Sequence, residues 1–298
     1  MNKLFYGVAL AALLGACSQP EGEQQNTAEM MEISAPAFDG ARMDNALAMQ
    51  SEDMQARYQY RHPKETLEFF GITPGMTVVE ALPGGGWYTK VLLPYLGSEG
   101  KVIGVDYSID MRRHFGTSEE RLEARKTWKS DWVAQAEEWR GDDSAALDAF
   151  VFGSVGDDYA ETADAVVLFR AVHHLNRFDH KGGHFGIALD DMKKVLKPGG
   201  VVGIVQHRAP ETHDDQWANG DNGYVKQSLV IKRFTDAGFE FVGEAEINAN
   251  PKDQPSEEDF VWRLPPSLGT SKEDPELRER MKEIGESDRM TLLFRKPA

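Results

Sequence analysis

The sequence predicts an α/β protein built on a doubly wound, mostly parallel sheet. Short apolar runs alternate with amphipathic helical stretches along most of the chain. A bare turn, Leu82-Pro83-Gly84-Gly85-Gly86, joins the first apolar run to the helical stretch behind it, and an acidic residue, Asp106, ends the second run. Together these observations set the expectation of a sheet with a ligand crevice at one edge.

Helical signals begin near Met43 and run to Tyr60, and Pro63 opens a further helix, KETLEFF, closed by Gly71. TVVEAL is the first buried strand, and WYTKVLLPYLG is an amphipathic helix ended by Gly97. KVIGVDY is the second strand, followed by a long polar helical region from about Ser118 to Arg140. DAFVFGSV and ADAVVLF are the third and fourth strands. HFGIALDDMKKVL is a helix stopped by Lys197-Pro198-Gly199-Gly200, and VVGIVQH is the fifth strand. YVKQSLVIKRFTDAGF is a helix capped by Gly238, FEFVGEAEINAN is the sixth strand and RMTLLFRKP the last. Trp128, Trp132 and Trp139 share one helix face, as packing or as the surface of a lid.

The chain of 298 residues is long enough for a sizeable core, and its net charge of −16 argues against a fold-wide affinity for nucleic acid. Its start, MNKLFYGVALAALLGAC, has a basic residue and then an apolar run too short to span a bilayer, as in a secretory signal. The ending Leu14-Gly15-Ala16-Cys17 resembles the lipobox of bacterial lipoproteins, in which the cysteine carries the lipid. Cys17 is the single cysteine, so neither an internal disulfide nor a cysteine metal site is available. Ser18, in place of an aspartate, matches outer-membrane sorting in the enterobacterial pattern. The expected organisation is a signal over 1–17, a polar tether over 18–43 and one domain over 44–298, lipid-anchored in the cell envelope and facing the periplasm.

A glycine turn at the end of a first strand suits a phosphate, a dinucleotide or an adenosyl cofactor, because nothing but backbone separates the turn from a ligand. A tight turn with no ligand is the plain alternative. The dinucleotide pattern G-x-G-x-x-G would put a third glycine at Thr89, and none is there. Asp106 is placed to accept two hydrogen bonds from ribose hydroxyls.

VVEALPGGGWYTKVLLPYLG, KVIGVDYS, ADAVVLF and VLKPGGVVGIVQH together resemble the class I S-adenosylmethionine-dependent methyltransferases, over nearly the whole chain after the tether. HRAP at 207–210, NANPKD and the terminal DRMTLLFRKP look more narrowly like a predicted-methyltransferase family of bacterial envelope proteins. The resemblance implies S-adenosylmethionine as cofactor, a small-molecule acceptor, and a Rossmann-like sheet of seven strands whose last is antiparallel. Residue by residue, it makes Glu80 the acid ending the first strand, Gly84 and Gly86 the later glycines with Gly85 between them, and Asp106 the ribose acid. Tyr107 would flank the adenine. The family's first glycine corresponds to Leu82, and its adenine-reading acid falls near Ser154, with Asp157 and Asp158 close by.

Methyl transfer is mostly positioning, and a base is needed only when the acceptor arrives protonated. LFRAVHHL follows the fourth strand, where the family keeps its substrate-facing residues. His174 is the candidate base, with His173 beside it, and Arg170 is the candidate anchor for an acidic acceptor. The plainer alternative makes one histidine a strand cap and the other a packing residue. A metal site drawn from His173, His174, His180, His184, His207 and His213-Asp214-Asp215 competes, but Gly182 and Gly183 interrupt the helical spacing and no HExxH occurs. Two functions therefore stand: an envelope-anchored methyltransferase, or a protein of the same fold that binds a nucleoside-like ligand without turnover.

Overall fold

The computed structural model describes residues 37–298; the secretory signal, Cys17 and most of the tether lie outside the described residues. The packed domain starts ahead of the Asp44 boundary expected from the sequence. Phe38 packs against Tyr95 at 5.5 Å, and the Asp39 carboxylate caps α1 (Gly40–Ala48) by accepting from the Arg42 amide. Two one-turn helices, α2 (Glu52–Gln55) and α3 (Tyr58–Arg61), replace the single helical run expected to Tyr60, and α4 (Pro63–Phe69) opens on its proline as anticipated.

β1 (Thr77–Ala81) leads through the glycine turn into α5 (Thr89–Leu96), then β2 (Lys101–Asp106). The terminal carbonyls of α5 are not left bare, since Arg42 Nε donates to the Pro94 and Tyr95 oxygens at 3.0 and 2.8 Å. The polar stretch read as one long helix is three pieces: α6 (Ile109–Arg113), α7 (Glu119–Ala124) and α8 (Trp128–Glu137). Then come β3 (Ala146–Val151), β4 (Ala163–Phe169), α9 (Val172–Phe178), α10 (His184–Val195) and β5 (Leu196–Ala209). The chain finishes with β6 (Val225–Lys226), α11 (Gln227–Asp236), β7 (Glu240–Ala245), α12 (Pro275–Ile284) and β8 (Arg289–Arg295).

The sheet order is β3-β2-β1-β4-β5-β8-β7, and the two-residue β6, unforeseen in the sequence, adds an eighth strand beside the end of β5. β1 to β5 pair in parallel, while β8 runs antiparallel to both β5 and β7. The Rossmann-like sheet and its antiparallel last strand are therefore present. Alternate strand residues feed two cores. Val79, Val105, Leu168 and Ile204 pack towards α9, α10 and α11, and Val78, Val102, Val167 and Phe169 pack towards α1, α4, α5 and α8. Burial on both faces pins the strand register and fixes which residues emerge at the carboxyl edge.

Candidate active site

The turn after β1 is built for a close approach. Leu82 takes the left-handed conformation (φ 54°), with its amide donating to the Val105 carbonyl at 2.7 Å. A conformation that favours glycine is thus kept at the position where the resemblance expects one, with leucine bearing the strain. Gly84 (φ 55°) and Gly86 (φ 76°) are left-handed too, for different ends. A methyl group on Gly84 would come no closer than 3.9 Å to the Leu82 carbonyl oxygen, whereas one on Gly86 would stand 2.1 Å from the Trp139 ring. Gly84 leaves room, with open space also beside Gly85, and Gly86 seats a tryptophan. Glu80 does not reach the cleft. It is buried and accepts from Thr89 Oγ1 at 2.6 Å, tying the end of β1 to the start of α5, and burial raises its carboxyl to about 7.

Leu82, Pro83 and Gly84 form one wall of a cleft of about 450 Å³, with Asp106, Tyr107, Arg112, Arg125, Trp128, Trp132 and His174 among the other lining residues. Asp106 stands at the end of β2 as expected, but its oxygens already have partners. Oδ1 accepts from the Tyr107 amide at 2.8 Å and from Arg112, and Oδ2 pairs with Arg125 at 3.4 Å. The Arg125 side chain is 43% exposed, so it can swing off Oδ2 with little obstruction. For the expected pair of ribose bonds, Oδ2 offers one free lone-pair direction now and a second once Arg125 moves.

Tyr107 is buried and its phenol, pushed well above the usual range by burial, stays protonated. It donates to the Ala171 carbonyl at 2.8 Å, so its oxygen is an acceptor for His174 Nδ1 at 3.3 Å. That network assigns the proton of His174 to Nδ1 and leaves the lone pair on Nε2. Burial, then the neighbouring His173, push His174 down to about 2. Its imidazole is a neutral acceptor and a feeble base.

The other expected residues lie elsewhere. His173, beside His174 at 3.9 Å, is buried with its amide and Nδ1 on Gln206 Oε1, and burial lowers it to about 4. Ser154 bonds within its own turn, to the Val151 carbonyl at 2.7 Å, and lines a separate hollow with Ser108, His114 and His184. Arg170 is left-handed (φ 60°), its amide on the Val205 carbonyl at 2.7 Å, and does not line the cleft. His173 lies 3.9 Å from His174 and 5.7 Å from His207, ring to ring, but the remaining histidines stand apart. His184 faces His114 at 5.5 Å, His213 contacts the Pro255 carbonyl, and among the described residues no three potential ligands come together. Sequence reasoning missed Arg112 and Arg125, although arginines shortly after the strand bearing Asp106 were the available signal.

No protein-family model and no curated protein matches the chain. Among solved structures, a SAM-dependent methyltransferase from Aquifex aeolicus is 14% identical with a TM-score of 0.44, the match covering 87% of this chain and 99% of that one. Geranyl diphosphate C-methyltransferase from Streptomyces coelicolor A3(2) is 14% identical with a TM-score of 0.47, over 88% of this chain and 90% of that one. The [4+2]-cyclase SpnF is 16% identical with a TM-score of 0.47, over 80% of each chain. Each is something this chain is similar to in fold, and the functional reading rests on the chain's own residues.

Proposed function

We propose that the protein is an S-adenosylmethionine-dependent methyltransferase of the cell envelope acting on a small-molecule acceptor. The carrying observation is a convergence. The left-handed Leu82–Gly84 turn, Asp106 and His174 come from the ends of three neighbouring parallel strands and line one cleft. The residues fit the cofactor: bare backbone at Gly84 for close approach, an accepting oxygen on Asp106, and the faces of Trp128 and Trp132 as apolar wall. When bound, it supplies an electrophilic methyl group. The chain does the rest. Asp106 orients a ribose hydroxyl, the tryptophans exclude water, and His174 Nε2 accepts a hydrogen bond from the acceptor and aligns it. With its pKa near 2, His174 favours acceptors that need no proton removed before attack.

Titration calorimetry with adenosylmethionine and adenosylhomocysteine tests this. Binding by the wild type, weakened at least about tenfold in Asp106→Ala, is expected. No heat and no thermal shift at millimolar ligand would end the proposal. A second reading has its own support, since the feeble base at His174 suits a nucleoside-binding protein without turnover. Tight binding with no adenosylhomocysteine released in an envelope extract selects that reading. Anchoring through Cys17, with the domain facing the periplasm from the outer membrane, is part of the proposal and rests on the Leu14–Cys17 ending. Cys17→Ser should abolish labelling by a radioactive fatty acid, and equal labelling of both proteins would remove the anchor.

A further inference from the structure

At the carboxyl edge of β4 and β5, three arginines pair with one carboxylate, and a fourth, Arg170, follows the end of β4. β8 is antiparallel, so its beginning lies at that same edge and sets Arg289 opposite His207. Glu286, 2% exposed, accepts from Arg57 Nε at 2.7 Å, pairs with Arg289, and has Arg61 at 3.5 Å. Arg289 has further acceptors in Ser287 Oγ (3.3 Å) and the Tyr60 carbonyl (3.2 Å). Arg61 does not. It is 4% exposed, its guanidinium lies 4.4 Å from the Trp87 ring, and neither Nε nor Nη1 has a hydrogen-bond partner among the described residues. Arg170, at a left-handed backbone position, adds a fourth positive charge that interacts with Arg61, Arg289 and Glu286, and that carboxylate is already shared by the other three arginines.

The buried Arg61 guanidinium, with two empty donors and a single counter-charge that it shares with Arg57 and Arg289, is costly unless an anion completes it. Burial, then the charges of Arg61 and Arg289, push Arg170 down to about 9. Burial also takes Arg61 down to about 10, against the pull of Glu286. We infer that Arg61 and Arg170 are the recognition site for an oxyanion, a carboxylate or phosphate carried by the methyl acceptor. That the oxyanion belongs to an acceptor rests on the proposed methyltransferase function; the anion site itself does not. A planar guanidinium fork matches either group in a bidentate fashion.

Calorimetry at fixed ionic strength, with benzoate and phenyl phosphate as probes against a chloride background, tests the inference on the full-length protein. Saturable binding of one probe is expected, and which one binds better separates carboxylate from phosphate. Arg170→Met and Arg61→Met should each weaken it about tenfold or more. If Arg61→Met does not fold, Arg170→Met and Arg61→Lys carry the measurement. Arg170→Met should also melt higher than wild type without probe, because it removes an uncompensated charge, and should lose the probe-induced upward shift. No saturable binding to wild type, unchanged affinity in the methionine variants, or an Arg170→Met protein that merely melts lower would each overturn it. Adenosylhomocysteine affinity measured alongside keeps the two claims apart. Probe binding that Arg170→Met abolishes, in protein that binds no adenosylhomocysteine, keeps the anion site and removes the methyltransferase; the converse result removes the anion site alone.

Discussion

Burial, then the neighbouring His173, keep the His174 imidazole neutral far below the pH at which an ordinary histidine titrates, about 6.5. Any turnover or ligand affinity that depends on His174 is therefore expected to be flat from pH 5 to 8, contrary to the rise that a working general base at this position would give. A pH–rate profile of wild type against His174→Gln checks this, and an inflection near 6.5 that vanishes in the variant would refute it. Glu80 titrates in the opposite sense. Its carboxyl is raised from 4.5 to about 7, so folding favours its protonated form. Its contribution is fully present below pH 4.5, falls as pH rises towards 7, and is constant above that, a loss on the order of 3 kcal/mol. Glu80→Gln keeps an acceptor for Thr89 and cannot ionise. Its urea midpoint relative to wild type should climb between pH 4.5 and 7; a constant difference across that window would show Glu80 is not raised. At this scale the sequence placed Asp106 and His174 at the right edge, because a strand's last residue is fixed by its register. It did not show Arg112 and Arg125 on Asp106, since which way an arginine leaves a short helix depends on that helix's packing.

The glycine turn and the α7–α8 segment are the elements that shape the cleft. Gly84→Ala and Gly86→Ala both force alanine into a left-handed position, at about 1–2 kcal/mol each. Only at Gly86 does the new methyl strike the Trp139 ring, so that variant should lose about 3 kcal/mol or more in urea unfolding. Gly84→Ala should stay folded and lose ligand affinity instead, a separation that equal destabilisation of the two would contradict. Arg125 comes from the 3-10 turn joining α7 to α8. Arg125→Ala should tighten adenosylhomocysteine several-fold by freeing Asp106 Oδ2, and weaker binding would mean that Arg125 is itself a ligand contact. That turn was not legible, since no proline or glycine marks it. Thr127 makes it instead, its hydroxyl donating to Asp131 at 2.7 Å with the Ala124 carbonyl also in reach at 3.3 Å. The apolar strands and their order of appearance were legible because burial on both faces leaves an unmistakable run, whereas the two residues of β6 carry no periodicity to read.

Over the whole molecule, the net charge of −16 coexists with two groups of arginines at the carboxyl edge of the sheet, Arg112 and Arg125 on Asp106 and Arg57, Arg61 and Arg289 on Glu286. That edge depends on β8, which lies inside the sheet although it ends the chain. Met290, Leu292 and Phe294 are fully buried in it, together worth roughly 5–9 kcal/mol of burial, comparable with the entire stability of an ordinary domain. Removing residues 289–298 also takes Arg289 from Glu286 and leaves β5 and β7 with unpaired backbone. This truncation should abolish cooperative unfolding. Removing residues 296–298 alone loses the two Lys296 main-chain bonds to Gly199 and Gly200, at 3.0 and 2.8 Å, and the Lys296 Nζ contact with the Leu196 carbonyl. It should cost only about 1–3 kcal/mol and leave the circular dichroism of the wild type. A cooperative transition in the longer truncation would show that β1 to β5 hold together without β8, and Glu286 would then keep only Arg57 and Arg61 as paired arginines.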